Sequence, residues 1–473
     1  MTTSADHGVP PPPTRRSESD LPTGAVEVVG RAVSAGSQGG ASGATPARLA
    51  AAMSAMIGTT EWSLELWDGR TVPATGRQRF RIALRSPEGL DRLLGALPER
   101  AFGRAYAAGL IDIDPLEEFL DTVSTSTVAA KAVAVPRLIR AAVGLGARPR
   151  FGPLPEGEAR LRGPRHSRRR DEAAVRHHYD LPVEFYALWL DTSLTYSCAS
   201  FAEPSDTIDT AQRAKLDLVC RKLRLQPGER LLDIGCGWGS LPIHAATHYG
   251  VSVVGVTLSP AQAAHARRRV AELGLARQVE IRLADYRDDL GVAVDAVSSI
   301  GMIEHVGHAN IGRFTDAVAG ALRPGGRALI HGITARRGGA IERGSFTDAF
   351  IFPDGELEDV GVLASTLERS GLEVRDVENL REHYALTLRS WRDRLEDRWA
   401  EAEAIVGPVR MRLWKLYLTG SEIGFRRGRV SVNQFLTVKP GPRGESELPL
   451  TRADWYAGGR PVGAQDRGRT CTA

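Results

Sequence analysis

The residues best suited to chemistry follow an apolar stretch in the middle of the chain, in the sequence LLDIGCGWGS at 231–240. Asp233 stands at the end of the apolar run, and glycines follow at positions 235, 237 and 239. Because glycine has no Cβ, this spacing predicts a tight turn whose backbone a ligand can approach closely. The Asp233 carboxylate is then placed to bind a polar group of that ligand.

Two classes of cofactor use a glycine turn between a strand and a helix. Dinucleotide folds prefer GxGxxG, with an acidic residue about 20 positions later that binds the ribose. Here the spacing is GxGxG, and Thr257 stands where that acid is expected. Both departures count against NAD. Together with the strand order and the later segments, they favour S-adenosylmethionine (SAM).

Strand-like and helix-like segments alternate around this turn. In chain order they are RLLDIG, SLPIHAATHY, VSVVGVTL, SPAQAAHARRRVAELG, VEIRLAD, AVDAVSSIG and GRALIHGIT. The alternation predicts an α/β fold with a doubly wound, mostly parallel sheet. Ligands of such sheets bind beyond the carboxyl ends of the strands, which is where the glycine turn lies.

Composition divides the rest of the chain into four further segments around this main domain. We expect a disordered N-terminal segment at 1–45, a small α+β domain at 46–145, a basic Pro/Gly/Arg linker at 146–170, the main domain at 171–437 and a loose tail at 438–473. The basic linker has three interpretations: a solvated connection, a strip that meets anionic lipid headgroups, or a nucleic-acid arm. The third lacks the aromatic residues that nucleic-acid modules interleave, so we expect no nucleic-acid partner.

The bulk properties are those of a globular protein that carries a mildly basic charge. The chain has 473 residues, a net charge of +4 and a pI near 8.9. Its four cysteines form no CxxC pair and no metal-ligand spacing, which predicts reduced thiols, a cytosolic protein and no bound metal. The first residues lack the apolar core of a secretory signal, and no stretch of about 18 apolar residues predicts a membrane span.

Several motifs recur in order along the main domain: HHYDLPVEFYALWLD, LTYSCASF, LLDIGCGWG, GVTLSPAQ, SIGMIEHVG, IHGIT, IFPDGEL and VSVNQFL. In these the chain resembles the cyclopropane-fatty-acyl-phospholipid synthase family, which includes the mycolic acid cyclopropane synthases. The resemblance implies a SAM-dependent lipid methyltransferase with a seven-stranded-type sheet and a helical lid. The stretch PERAFGRAYAAGLIDI is similar to the N-terminal domain of the longer bacterial members, which implies a lipid-binding or accessory role for 46–145.

The resemblance also implies a set of SAM contacts. Tyr196 and Ser197 would close over the methionine end, Thr257, Leu258 and Gln262 would take the adenosine side, and Ile300 would pack on the cofactor. Family members often carry Trp-Glu where this chain has Tyr286 and Arg287. The full implied set is Tyr196, Ser197, Asp233, Gly235, Cys236, Gly237, Trp238, Gly239, Thr257, Leu258, Gln262, Tyr286, Arg287 and Ile300.

The catalytic set implied by the resemblance is Cys198, Glu304, His331, Tyr384 and the backbone of Ile333, which in the family hold a bicarbonate ion. Taken singly, each has a plainer interpretation: a small buried thiol, a solvated acid, a satisfied core histidine or a core tyrosine. One family cysteine has no counterpart, because the chain has Ser421 there, followed by Glu422. That departure leaves the lipid product open.

The chemistry expected of this set is methyl transfer from the SAM sulfonium to an unactivated cis double bond. The transfer creates a carbocation, so the site must be dry and supplied with negative charge or aromatic faces. Loss of a proton from the new methyl group then closes a cyclopropane ring. A hydride shift before proton loss gives a methylene branch instead, and a non-catalytic lipid-binding protein is a third interpretation.

The partners implied are unsaturated phospholipid acyl chains, reached by peripheral docking on the inner face of a membrane. Basic residues of the linker and of GFRRGR at 424–429 would assist that docking. Homodimers are common in the family.

Overall fold

The computed structural model describes residues 46–94, 98–126, 128–148, 156–335 and 341–456. The segment expected to be disordered, 1–45, and most of the predicted tail, 457–473, lie outside the described residues. Within the described residues, no helix combines the length and the apolar character that a membrane crossing requires.

The N-terminal unit, residues 46–144, is a small sheet covered by helices. Its elements are α1 (Pro46–Ile57), β1 (Trp62–Glu65), β2 (Thr71–Val72), β3 (Phe80–Leu84), α2 (Pro87–Leu93), α3 (Pro98–Ala107), β4 (Ile111–Asp114), α4 (Leu116–Thr125) and α5 (Val128–Gly144). The strand order is β2-β1-β3-β4. As the Asp68-Gly69 pair predicts, β1 and β2 form an antiparallel hairpin, with the Leu66 amide donating to the Arg70 carbonyl at 2.9 Å.

The main domain follows in alternating helices and strands. Its first half comprises α6 (Arg168–Tyr179), α7 (Val183–Ala187), α8 (Ile208–Lys222), β5 (Arg230–Ile234), α9 (Ser240–Tyr249), β6 (Ser252–Thr257), α10 (Pro260–Glu272), β7 (Val279–Leu283) and β8 (Val294–Ile300). Its second half comprises α11 (Ile311–Ala321), β9 (Leu322–Ala335), β10 (Glu358–Asp359), α12 (Val360–Arg369), β11 (Glu373–Asn379), α13 (Arg381–Asp397), α14 (Trp399–Val406), α15 (Pro408–Arg426), β12 (Val430–Val438) and α16 (Ala453–Tyr456).

The predicted mostly parallel sheet is confirmed. Its strand order is β11-β12-β9-β8-β5-β6-β7, and the short β10 pairs with β9. The strands β5 to β9 run parallel, whereas β12 is antiparallel to both of its neighbours. Burial on both faces explains why the parallel strands are almost wholly apolar, as in the pattern BBBB over Leu231–Ile234.

Three helices, α13, α14 and α15, pack together, α13 and α15 also contact β12, and we call the three helices the lid. Trp391 in α13 and Met411 in α15 are fully buried, and both belong to the same apolar core as the N-terminal unit. The lid therefore packs against the sheet on one side and against the N-terminal unit on the other.

The basic segments identified in the sequence are largely bound within the chain. Arg170 pairs with Asp354, and α6 begins at Arg168, inside the segment expected to be a linker. At the end of the lid, Arg427 pairs with Asp121 of the N-terminal unit at 2.6 Å. These guanidinium groups connect parts of the protein, and each is partly neutralised by its carboxylate.

Gly239 offers a test of the turn that follows β5. Its φ of 90° is left-handed, and a Cβ there would stand 3.1 Å from the Cβ of Ala266. We expect Gly239→Ala to lower the free energy of unfolding by at least about 1–2 kcal/mol, measured by urea denaturation.

The matched control is Gly420→Ala in the middle of α15, where no atom lies within 4 Å of the added Cβ. That substitution should raise the free energy of unfolding by about 0.5–1 kcal/mol, because alanine loses less backbone entropy in a helix. Equal stability of the two variants would contradict the packing described for Gly239.

Candidate active site

A cavity lies beyond the carboxyl ends of β5, β6, β8 and β9, beneath the lid. Its lining brings together residues that are far apart in the sequence. The predicted site residues that line it are Tyr196, Ser197, Cys198, Asp233, Gly235, Cys236, Gly237, Trp238, Thr257, Leu258, Gln262, Tyr286, Ile300, Glu304, His331, Ile333 and Tyr384. The predicted cofactor contacts and the predicted catalytic groups thus share one continuous space.

The glycine turn forms the floor of this cavity. The amides of Gly235 and Cys236 both donate to the carbonyl of Val256 at 2.9 Å, which ties the turn to the end of β6. Gly237 has a φ of 55°, and a Cβ there would meet nothing within 4 Å. Gly237 therefore leaves open space for a ligand, as the sequence pattern predicts.

Two predicted cofactor contacts, Gly239 and Arg287, are absent from the described lining of the cavity. Gly239 instead gives α9 its close approach to Ala266. The Arg287 guanidinium is only 4% exposed and pairs with Asp285 at 2.6 Å and Asp171 at 2.9 Å. Because these carboxylates hold it, Arg287 acts as a structural ion pair, and Tyr286 alone lines the cavity.

Opposite charges are buried near the glycine turn. Asp233 accepts a hydrogen bond from Ser298 Oγ at 2.7 Å, and Lys215 Nζ donates to Ser197 Oγ at 2.9 Å. Burial raises the pKa of Asp233 to about 6, against the lowering effects of Ser298 and Lys215. Burial lowers the pKa of Lys215 to about 8. This end of the cavity can therefore bind a ligand that carries both a cation and an anion.

The carboxyl end of β6 supplies ordered polar groups to the same end of the cavity. Ser259 caps α10 by accepting from the Gln262 amide at 3.2 Å, as the Ser-Pro start of that helix predicts. Thr257 Oγ1 donates to Gln262 Oε1 at 2.9 Å. The Gln262 side chain is thus held in a defined orientation at the cavity wall.

Glu304 lies on the short 3₁₀ turn that follows β8 and is buried. Its Oε1 accepts from the Ile333 amide at 2.7 Å, while its Oε2 has no hydrogen-bond partner within the described residues. Burial raises the pKa of Glu304 to about 7, although the Ile333 amide opposes the shift. Near neutral pH this carboxyl group can therefore either donate or accept a proton.

His331 lies in β9 and is 1% exposed. Its Nδ1 is 3.1 Å from Gln434 Nε2, and its Nε2 has no partner in the described part of the chain. Burial lowers the pKa of His331 to about 3, and the charges of Lys215 and Lys222 act in the same direction. The ring is therefore neutral at physiological pH.

The described cysteines are buried free thiols. Cys198 Sγ contacts the carbonyls of Ala199 and Leu380 at 3.3 and 3.7 Å, and burial raises the pKa of the thiol. Cys198 is thus a neutral, weak donor at the cavity wall. Across the residues that the structure describes, no three His, Cys, Asp or Glu side chains are grouped so as to hold a metal ion.

Aromatic rings form much of the remaining wall. Tyr384 packs on Phe425 with ring centroids 4.4 Å apart, and burial raises the pKa of its hydroxyl. Tyr196 donates to the Tyr417 hydroxyl at 3.2 Å. The cavity is therefore bordered by π faces, which attract cations when water is excluded.

Sequence reasoning missed Lys215 and Tyr179, which both line the cavity. Tyr179 belongs to the HHYDLP motif, so the motif itself contained that signal. Lys215 lies on the face of α8 that also holds Ala211 and Val219, and all three are buried. A lysine at an apolar helical position is a signal of a buried charge.

Ser421, which replaces the family cysteine, is absent from the described lining of the cavity. The next residue, Glu422, is fully buried in the lid and pairs with Arg389, Arg392 and Arg426 at 3.2–3.3 Å. The residue beside the departure, Glu422, therefore contributes to the packing of α13 on α15.

Comparison with known proteins identifies a family that matches the main domain. The family described as mycolic acid cyclopropane synthetase matches residues 166–435. The match begins beside α6 and ends within β12, so it includes the whole lining of the cavity.

Individual relatives extend the similarity. A probable fatty acid methyltransferase of Pseudomonas putida is 45% identical over 296 residues, which are 62% of this chain and 75% of that protein. A tuberculostearic acid methyltransferase of Mycobacterium tuberculosis is 35% identical over 387 residues, which are 79% of this chain and 87% of that protein. The second alignment is longer than the family match, so it extends beyond the main domain.

A solved structure also resembles the chain. A mycolic acid cyclopropane synthase in complex with S-adenosylhomocysteine and CTAB aligns with a TM-score of 0.53 and 36% identity. The alignment covers 56% of this chain and 97% of that one.

The buried Glu304 predicts an unusual dependence of stability on pH. The folded protein keeps a proton on Glu304 that the unfolded chain releases, so the stability of the native protein falls as pH rises from about 4.5 to about 7. Glutamine does not titrate. We therefore expect Glu304→Gln to match the native protein at low pH and to exceed its free energy of unfolding by about 3 kcal/mol at pH 8.

Urea denaturation at low pH and at pH 8 measures the difference in free energy of unfolding between Glu304→Gln and the native protein. The control is Glu203→Gln, at an exposed position, for which we expect no gain between the two pH values. A Glu304→Gln variant that is less stable than the native protein at high pH would contradict the burial of this carboxyl group.

Proposed function

The chain belongs to the mycolic acid cyclopropane synthetase family and is a SAM-dependent methyltransferase, and we propose that it acts on the cis double bond of unsaturated phospholipid acyl chains. The proposed product is a cyclopropane fatty acyl chain. One observation carries the proposal: the glycine turn and the groups Glu304, His331 and Tyr384 line the same cavity. A methyl donor at the turn would then face these groups across an apolar space.

The proposed reaction begins with electrophilic transfer. The π electrons of the alkene form a new C–C bond to the SAM methyl carbon, and the S–CH3 bond breaks with its electrons going to sulfur. The products of this step are S-adenosylhomocysteine and a carbocation in the acyl chain. Loss of one proton from the transferred methyl group gives the electron pair that closes the three-membered ring.

The polar end of the cavity suits the methionine part of SAM. SAM carries an ammonium and a carboxylate there, and the buried groups Asp233 and Lys215 offer the complementary charges. We infer that Lys215 binds the carboxylate while Asp233 faces the ammonium, and that Gln262 lies toward the adenosine. Burial strengthens each of these contacts because the effective dielectric constant is low.

The other end of the cavity suits a transient carbocation. The rings of Tyr384 and Tyr417 line the cavity with Glu304 and His331, and the deeply buried Cys198 thiol is neutral, so it is less readily alkylated than a thiolate. The solved relative that contains CTAB, a cationic surfactant with a long alkyl chain, supports an acyl-chain site in this family.

Proton removal needs a base that is not itself methylated. Glu304 and His331 line the cavity, and Glu304 Oε2 and His331 Nε2 are buried and lack partners within the described residues, so this pair of residues fits a small oxyanion such as bicarbonate. Bound bicarbonate would supply a base for the methyl proton. Glu304 and His331 would hold it by hydrogen bonds, with the Tyr384 hydroxyl as a third donor.

A second product is favoured by one observation. The alignment with the tuberculostearic acid methyltransferase covers 79% of this chain, and that protein is named for methyl transfer and not for ring formation. The same carbocation gives a methylene branch when a hydride shifts before a proton is lost. A separate reductase would then produce a mid-chain methyl group.

An acyl chain of a phospholipid lies in a bilayer, so we propose docking on the inner face of the membrane. Arg160, Arg162 and Arg169 are exposed on the segment before and within α6, and none of them is in an ion pair with a described residue. Each basic residue near an anionic surface contributes about 1 kcal/mol of attraction. We propose these three residues for the membrane contact.

Expression in a bacterial host without such enzymes tests the function. We expect mass spectrometry of the membrane fatty acids to show a gain of one CH2 in monounsaturated chains. Glu304→Gln should abolish this product, while calorimetry shows that it still binds S-adenosylhomocysteine. The Glu203→Gln control should form the product normally, and full activity of Glu304→Gln would refute the assignment.

Catalytic hydrogenation of the extracted lipids distinguishes the two products. A methylene branch takes up hydrogen under mild conditions and becomes a methyl branch, whereas a cyclopropane ring resists those conditions. An unchanged fatty acid profile on expression of the folded protein would exclude both products.

Lys215→Met tests the binding of the methionine carboxylate. We expect the Kd for S-adenosylhomocysteine, measured by calorimetry, to rise by at least about tenfold, because one charge-assisted hydrogen bond is lost. Affinity of the native protein should also fall above about pH 8, where Lys215 loses its proton, and the variant should lack that step.

The matched control is Lys415→Met on the outer side of the lid, where the lysine pairs with Glu396 at 3.0 Å. It should leave the Kd unchanged. Unchanged affinity of Lys215→Met would show that this lysine has only a structural role.

A further inference from the structure

The motif VSVNQFL contains a glutamine that the proposed reaction does not use. Gln434 lies in β12, directly opposite His331 of β9 in the register of the two strands. Both side chains are 1% exposed. The atoms with which the two side chains face each other are therefore shielded from water and pair within the protein.

A buried lysine completes the arrangement. Lys222 lies at the end of α8 and is fully buried. Its ammonium donates to Gln434 Oε1 at 2.7 Å and also pairs with Glu378. Gln434 Nε2 in turn lies 3.1 Å from His331 Nδ1. Three side chains from three elements thus form one continuous line of hydrogen bonds.

The direction of each hydrogen bond in this line follows from chemistry. An ammonium group only donates, so the glutamine atom that faces Lys222 must be the carbonyl oxygen. The amide nitrogen must then face His331, and an amide nitrogen also only donates. His331 Nδ1 is therefore the acceptor, which leaves the ring proton of a neutral imidazole on Nε2.

We propose that Lys222 and Gln434 are positioning residues that hold His331 in its Nε2–H tautomer, so that the ring presents an N–H donor to the cavity. The proposal rests on the function proposed above for His331. His331 lines the cavity and its Nε2 has no partner among the described residues, so an N–H there is available to an anion or another acceptor. With the opposite tautomer, Nε2 would present a lone pair and repel that ligand.

The same arrangement excludes the doubly protonated ring. An imidazolium would direct an Nδ1–H at the amide N–H of Gln434, and two donors cannot pair. The groups that act on the imidazole are Lys215 and Lys222 of α8 through their charge and Gln434 of β12 through its hydrogen bond, and Glu304 lines the same cavity. The two lysines oppose a positive ring, and burial lowers its pKa to about 3.

Gln434→Glu tests the proposal with a change of few atoms. One carboxylate oxygen would still accept from Lys222, but the other would face His331 Nδ1 as an acceptor. The ring must then place a proton on Nδ1. We expect long-range 1H–15N correlation spectra of histidine-labelled protein to show the Nε2–H tautomer of His331 in the native protein and a protonated Nδ1 in the variant.

The matched control is Asn433→Asp. This neighbour in β12 is equally buried, and its amide donates to Thr334 Oγ1 at 2.7 Å, away from His331. It undergoes the same exchange of amide for acid. The His331 resonances, identified by their loss in His331→Gln, should keep the native tautomer in this control.

Kinetics add a second measurement. Burial and the charges of Lys215 and Lys222 still oppose a positive ring, so a proton on Nδ1 removes the one on Nε2. We therefore expect Gln434→Glu to lower kcat by about 10- to 100-fold, with the KM for SAM little changed, because the donor toward the reacting centre is lost while the cofactor contacts remain. If Gln434→Glu does not fold, Lys222→Met serves instead. The amide is then free to rotate, and a mixture of tautomers is expected.

A protonated Nδ1 in the native protein, or a native tautomer pattern in both Gln434→Glu and Lys222→Met, would overturn the proposal. The spectra are recorded without a lipid substrate. A native Nε2–H tautomer that changes in the variants would therefore support the positioning role even if no lipid product were found, which separates this test from that of the proposed function.

Discussion

The exclusion of water from the carboxyl edge of the main sheet is the constraint on which the site depends. Burial raises the pKa of Glu304 to about 7, lowers that of Lys215 to about 8 and lowers that of His331 to about 3, so the first two groups titrate near neutral pH and the imidazole stays neutral. A carbocation also survives only where water cannot trap it. In the proposed reaction, the lid would contribute to the chemistry by the same exclusion of water that sets the protonation states.

Much of the fold follows from local sequence patterns. The strands of the parallel sheet are continuous apolar runs, and the glycine turn after β5 has the open approach that its spacing predicts. Ion pairs between residues far apart in the chain cannot be predicted from such local patterns. Arg287 looks like a cofactor contact in sequence, but its ion pair with Asp171 of α6 takes it out of the cavity. No local pattern encodes that partner.

The site shows the same division between local signal and tertiary context. The ordered motifs contain Glu304 and His331, the family resemblance adds Tyr384, and the structure brings all three to one cavity. The motifs do not reveal which buried residues lie beside these side chains. Lys215 and Lys222 look like ordinary charges in the sequence, yet both lie on the buried face of α8. Only the assembled fold shows that Lys215 lines the cavity and that Lys222 donates to Gln434.

The arginines of the lid form ion pairs with carboxylates of the N-terminal unit. Arg392, Arg426 and Arg427 pair with Glu117 and Asp121, and Arg412 pairs with Asp112. These carboxylates of the N-terminal unit thus partly balance the positive charge of the helices that close the cavity. In a homologue built from the main domain alone, these arginines would lose their partners in the N-terminal unit and form an exposed cationic surface. Loss of the N-terminal unit during evolution would therefore require other residues on the outer face of those helices.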